Sequence, residues 1–137
     1  MKSLWSEDEA AAFPGELGQC VFSTRLLGRE PALVLHGGGN TSVKIDEKNI
    51  FGEDEALLYV KGSGADLQHI DASGFAPVRL SPLLKLAKLP VLSDLQMMNA
   101  LRVHRTRADA PTPSVEAILH AILPFKFVYH THADALL

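Results

Sequence analysis

The 137-residue sequence predicts an α+β fold, a sheet with helices packed on it. Short apolar runs divided by glycine turns fill the earlier part of the chain. Segments opened by Ser or Pro and long enough for helices fill most of the later part. A glycine turn, Gly37-Gly38-Gly39-Asn40, joins two of the apolar runs and reads as a hairpin. Strands first and helices later, with a hairpin, is the pattern of an α+β layered domain.

Taken in order, Ser6 and Glu9 form a capping-box pattern ahead of a helix over residues 7–27. That helix is broken or kinked near Pro14-Gly15. Its apolar positions Leu17, Val21, Leu26 and Leu27 suit a 3.6-residue period, and Pro31 ends it. Residues 33–36 read as a buried strand and 43–45 as its hairpin partner. A third strand spans 56–60 and closes on Lys61-Gly62-Ser63-Gly64; a fourth spans 77–80. Ser81 and Ser93 read as N-caps of helices over 82–88 and 94–107. Pro113 and Ser114 open a helix that runs to Leu123, stopped by Pro124, with Ile118, Leu119 and Ile122 on its buried face. Residues 127–130 form a strand, and a last helix begins near Ala133.

Composition narrows the function. Hydrophobic residues are 47% and charged residues 21%, the balance of a soluble globular protein and not of a disordered one. The net charge of -3 offers no basic surface for nucleic acid. A single cysteine, Cys20, excludes an internal disulfide and a cysteine-built zinc finger, and it fits a reducing compartment. No apolar run reaches membrane-spanning length, and the acidic N-terminus does not read as a signal peptide, so a cytoplasmic protein is expected. The chain stops at Leu137 inside the apolar stretch HADALL, with nothing to close a helix. The expectation is one domain over residues 1–137, truncated at its C-terminus.

The sharpest chemical feature is Tyr129-His130-Thr131-His132. On extended backbone, residues two apart share a face, so His130 and His132 present two imidazoles to one point. That suits Zn²⁺ or another borderline divalent metal; it also describes two incidental histidines at a strand end. Glu116 falls in the first turn of the helix opened by Pro113-Ser114, where the helix dipole keeps a carboxylate ionised. It reads as a ligand or general base, or simply as a favourable helix start. His120, four residues on, reads as its structural partner on the same helix face. The loops Gly37-Gly38-Gly39-Asn40-Thr41-Ser42 and Gly62-Ser63-Gly64 each follow a strand. Their backbone N–H groups and polar side chains suit a phosphate, although each loop taken singly reads first as a tight turn. His36-Gly37-Gly38-Gly39 matches an esterase oxyanion-hole string, but Lys61 stands where the nucleophile elbow around Ser63 needs glycine.

GGGNTSVK at 37–44, KGSG at 61–64, PSVEAILH at 113–120 and HTHADA at 130–135 together resemble the class II aldolase/adducin family over nearly the whole chain. The match is closest to the aldolase part of bifunctional rhamnulose-1-phosphate aldolase/short-chain dehydrogenase proteins. The resemblance implies an α/β/α layered fold around a mostly antiparallel sheet, and a homo-oligomer, a tetramer, in the intact protein. It implies a Zn²⁺-dependent aldolase that cleaves a sugar phosphate to dihydroxyacetone phosphate and an aldehyde. His130 and His132 match the first two metal ligands and Glu116 the acid/base carboxylate. Gly39, Asn40, Ser63, Gly64 and Ser114 match positions that contact phosphate or substrate oxygens. Val115 departs from a serine common in aldolases, which implies an altered phosphate site, and the third histidine ligand of relatives falls beyond Leu137. Related readings are a superfamily epimerase or decarboxylase and a non-catalytic adducin-like binding module. Retention of His130, His132 and Glu116 argues against the last.

Overall fold

The structure is a computed structural model that describes residues 15–29, 39–63 and 65–130. The capping box at Ser6, the strand over 33–36 and the helix near Ala133 lie outside the described residues. The elements are α1 (Gly15–Gly28), β1 (Asn40–Lys48), β2 (Asp54–Lys61), β3 (Phe75–Arg79), α2 (Leu80–Leu86), α3 (Asp94–Val103), α4 (Ala117–Ile122) and β4 (Phe127–His130). The four strands form one antiparallel sheet in the order β3-β2-β1-β4.

Both faces of the sheet are covered, and the pleat of β2 shows how. Leu58 and Val60 point to one side with Ala76 and Val78, against Leu83, Leu101, Ala117 and Ala121 of the α2–α4 layer. Leu57 and Tyr59 point to the other side with Val43 and Phe75, against Cys20 and Val21 of α1. The result is the α/β/α layering expected. Polar groups fasten α1 in place: the Thr24 hydroxyl is hydrogen-bonded to that of Thr41 in β1 at 2.8 Å, and Arg25 Nε donates to Ile70 C=O, in the β2–β3 connection, at 2.6 Å.

Several local expectations shift for identifiable reasons. Strand β1 begins at Asn40, not Val43, because Asn40 to Val43 pair with His130 to Phe127 of β4. Its hairpin with β2 turns at Asn49, whose Oδ1 accepts the Phe51 and Glu53 N–H groups. Ser93 caps α3, and Gln96 returns the bond to complete a capping box. Helix α3 stops at Val103 because the next residues pair with the edge strand: Arg79 N–H donates to His104 C=O, and Thr106 N–H to Pro77 C=O. Ser81 is not an N-cap; α2 begins at Leu80 directly out of β3. The C-terminal helix is shorter than expected, and its buried residues are Ala117, His120 and Ala121. Ile118 is only partly buried, and Leu119 and Ile122 are 45% and 51% exposed. Small alanines let this helix approach the sheet closely, and the larger residues turn outward.

The connection between β2 and α4 sets up the site. Gly62 bridges to Pro113, Ser63 N–H donates to Thr112 C=O at 2.9 Å, and Ser114 N–H donates to Lys61 C=O at 3.2 Å. A Cβ on Gly62 would lie 2.8 Å from Pro111 Cβ and 3.1 Å from Gly74 C=O. A rigid proline ring and a backbone carbonyl cannot step aside cheaply. Gly62→Ala is therefore expected to destabilise the fold by about 1–3 kcal/mol, the usual cost of overpacking. Equilibrium urea unfolding of both forms measures it, and an unchanged midpoint would show that the 111–114 segment is loosely held.

Candidate active site

Strand pairing gathers the polar residues at one end of the sheet. Asn40, the first residue of β1, stands opposite His130, the last of β4, and Ser42 stands opposite both Val60 and Val128. Asn40, Ser42 and His130 thus share the face covered by α4. The bridge from Gly62 to Pro113 brings Ser63, Ser114 and then Glu116 to that same end. Gly39 precedes Asn40 with φ at +95°, a conformation open to glycine, and turns the chain into the strand. Asn40 is buried, Ser114 half-buried and Ser63 exposed. Gly64 and His132 lie outside the described residues.

Glu116 occupies the N-cap position of α4, not its first turn. Ser114 Oγ accepts its backbone N–H at 3.3 Å. Its carboxylate Oε2 is hydrogen-bonded to His130 Nδ1, with both side chains about one-third exposed (32% and 39%). The pairing expected between the Glu116 and His120 side chains is replaced by this contact, and His120 finds another partner. Its Nδ1 lies 2.7 Å from Ser42 Oγ. The His120 ring is fully buried, and burial pushes its pKa down to about 4 against the attraction of Glu116, so it is neutral near pH 7.

Two buried polar atoms at this end have no hydrogen-bond partner among the described residues, His120 Nε2 and Asn40 Oδ1. Such atoms each cost about 1–3 kcal/mol unless a ligand or water meets them. One ligand atom each from Glu116, His120 and His130 lie within 4.8 Å of one another. A carboxylate and two imidazoles so grouped are a donor set that fits Zn²⁺ or a similar divalent ion.

Lys61 sits at the same end, one residue before Gly62. It is buried, and its Nζ has only a long 3.4 Å contact to Gly62 C=O. Burial lowers its pKa, while the carboxylates of Glu116 and Asp66 hold it up. A buried ammonium without an ion-pair partner among the described residues is suited to an anion. The sequence alone assigns Lys61 no binding role, places Ser42 only among the polar residues of a phosphate loop, and puts His120 in a structural role. The available signals were the lysine directly before Gly62-Ser63 and the two-residue spacing of Asn40 and Ser42.

Residues 20–137 match the family described as Class II Aldolase and Adducin N-terminal domain. The chain belongs to that family. A solved structure, the N-terminal class II aldolase domain of a conserved protein from Thermoplasma acidophilum, superposes with a TM-score of 0.90 at 42% identity. It covers all of this chain, which spans 62% of that one. A Bacillus subtilis (strain 168) protein named uncharacterized oxidoreductase YuxG is 36% identical over all 137 residues. The chain spans only 20% of that protein's length.

Family membership accounts for the layered fold and the antiparallel sheet. The class II aldolase fold supports a lyase-type enzyme, and class II aldolases generally depend on a divalent metal. The Glu116, His120 and His130 cluster has the composition such a metal needs. Among the described residues no helix is long and apolar enough to cross a membrane.

Proposed function

We propose that this domain is the catalytic part of a metal-dependent aldolase. It cleaves a (deoxy)sugar 1-phosphate, such as rhamnulose 1-phosphate, to dihydroxyacetone phosphate and an aldehyde. The observation that supports this reading is the contact of Glu116 with His130, at the sheet end that also carries Asn40, Ser63 and Ser114.

His130 and His132 hold the metal, with Glu116 beside them. Bound Zn²⁺ supplies a Lewis acid that stabilises negative charge on the substrate's carbonyl oxygen. The residues of the chain do the rest. Glu116 moves the proton: cleavage begins with loss of a hydroxyl proton and ends with protonation of the carbon fragment, and a carboxylate performs both by general acid–base catalysis. Ser63, Gly64 and Ser114 hold the phosphate with hydroxyl and backbone N–H donors, and the buried ammonium of Lys61 supplies a positive charge nearby. Gly39 and Asn40 contact substrate oxygens from the start of β1. Phosphate binding remote from the reacting carbons orients them.

The test supplies the intact protein with Zn²⁺ and a ketose 1-phosphate and follows dihydroxyacetone phosphate by its enzymatic reduction. Release of that product from rhamnulose 1-phosphate is expected. Metal-loaded protein that yields only an epimer or a decarboxylated sugar would move the assignment to another branch of the superfamily.

A further inference from the structure

His120 is the fully buried member of the Glu116, His120 and His130 cluster, and the family resemblance gives it no part in metal binding. We propose that His120 is a positioning residue for the Glu116 carboxylate. Its Nε2–H is the donor that receives that carboxylate when His130 is engaged elsewhere.

The first observation places the proton. A neutral imidazole carries one N–H, on Nδ1 or on Nε2. Ser42 Oγ lies 2.7 Å from Nδ1, and Ser42 is itself fully buried, with no other side-chain hydrogen bond among the described residues. Were the proton on Nδ1, the Ser42 hydroxyl hydrogen and the Nε2 lone pair would both be buried without partners. With the Ser42 hydroxyl donating to Nδ1, only Nε2–H is left over. One buried orphan costs less than two, so Nε2 carries the proton. It is then a donor and not a metal ligand.

The second observation is that this donor has nothing to donate to among the described residues. The third is what stands beside it. Glu116 lies one helical turn earlier, and its C=O accepts the His120 N–H at 3.2 Å, so the two side chains rise along one side of the helix. A carboxylate oxygen of Glu116 and a ring nitrogen of His120 are within 4.8 Å of each other. In this structure the carboxylate is hydrogen-bonded to His130 instead. His130 therefore has two claims on it, this carboxylate and, in the proposed function, the metal. A general base released by His130 needs a second donor to stay aimed. His120 offers one on a ring that Ser42 and complete burial hold still.

This inference rests on the acid/base reading of Glu116, and its test separates the two. In intact, Zn²⁺-loaded protein labelled with ¹⁵N-histidine, Nε2 of His120 is expected to be the protonated nitrogen. A proton on Nδ1 would overturn the proposal whatever the variants do. His120→Leu keeps the bulk and removes the donor. It is expected to lower kcat on a ketose 1-phosphate by about 10- to 100-fold and to leave KM and Zn²⁺ affinity unchanged. His120→Gln, whose amide N–H can stand where Nε2–H stood, is expected to recover part of the loss. Wild-type kcat in His120→Leu, or a loss matched by weaker Zn²⁺ binding, would overturn the proposal and leave the aldolase reading standing. Failure of His120→Gln to exceed His120→Leu would do the same. A Zn²⁺-loaded wild type that cleaves no ketose 1-phosphate would overturn the reading and this inference with it.

Discussion

On the proposed function, Glu116→Gln is expected to lower turnover of the sugar phosphate by about 10²–10⁴-fold, the usual contribution of a general acid–base group. Glutamine keeps the size of the side chain and removes its ability to take up the proton. The local backbone should survive the change. The Glu116 N–H is held by Ser114 Oγ, and Glu116 C=O accepts the His120 N–H at 3.2 Å; neither bond involves the carboxylate. The hydrogen bond to His130 can be kept by the amide oxygen. The variant should therefore match wild type in far-UV circular dichroism and, at saturating Zn²⁺, in metal content. Its steady-state rate with a ketose 1-phosphate is the deciding measurement. Near-normal turnover would make Glu116 a structural N-cap residue and return the proton-transfer role to another group.

Loss of His130 and His132 is expected to have a comparably large effect. In His130→Ala/His132→Ala, Zn²⁺ binding should weaken by more than 100-fold, because removing even a group that only orients a ligand costs about 10–100-fold. Removing His130 also strips Glu116 Oε2 of its hydrogen-bond partner, so the remaining carboxylate is less well placed to hold the ion. Zinc content after dialysis against buffer of defined free Zn²⁺ reads the effect directly. Equal occupancy in wild type and variant would place the metal elsewhere on the protein. The variant should stay folded, since His130 is only half-buried at the end of a short strand whose buried apolar anchor is Val128.

Features governed by neighbours in sequence were legible without a structure. The four-residue strand β4 follows from its run of aromatic and β-branched residues, and Ser93 caps α3 through atoms three residues away. The family was legible for a related reason: GGGNTSVK, KGSG, PSVEAILH and HTHADA are each contiguous, and their order survives on the page.

The arrangement between those strings was not legible, because it depends on contacts between residues far apart in the chain. Asn40 joins β1 only through pairing with His130, and residues 112–114 stay out of helix because Lys61, Gly62 and Ser63 hold them by backbone bonds. That restraint moves the start of α4 to Ala117 and Glu116 to its cap. Apolar periodicity put Ile118, Leu119 and Ile122 against the core, yet close approach to the sheet favours Ala117 and Ala121 and encloses His120 between them. A histidine can be buried there because Ser42, remote in sequence but adjacent across the layer, is hydrogen-bonded to one of its two ring nitrogens. Local chemistry is written in adjacent residues, whereas the partner of a buried polar group is chosen by packing, and so the contacts of Glu116 and His120 emerge only when the layers close.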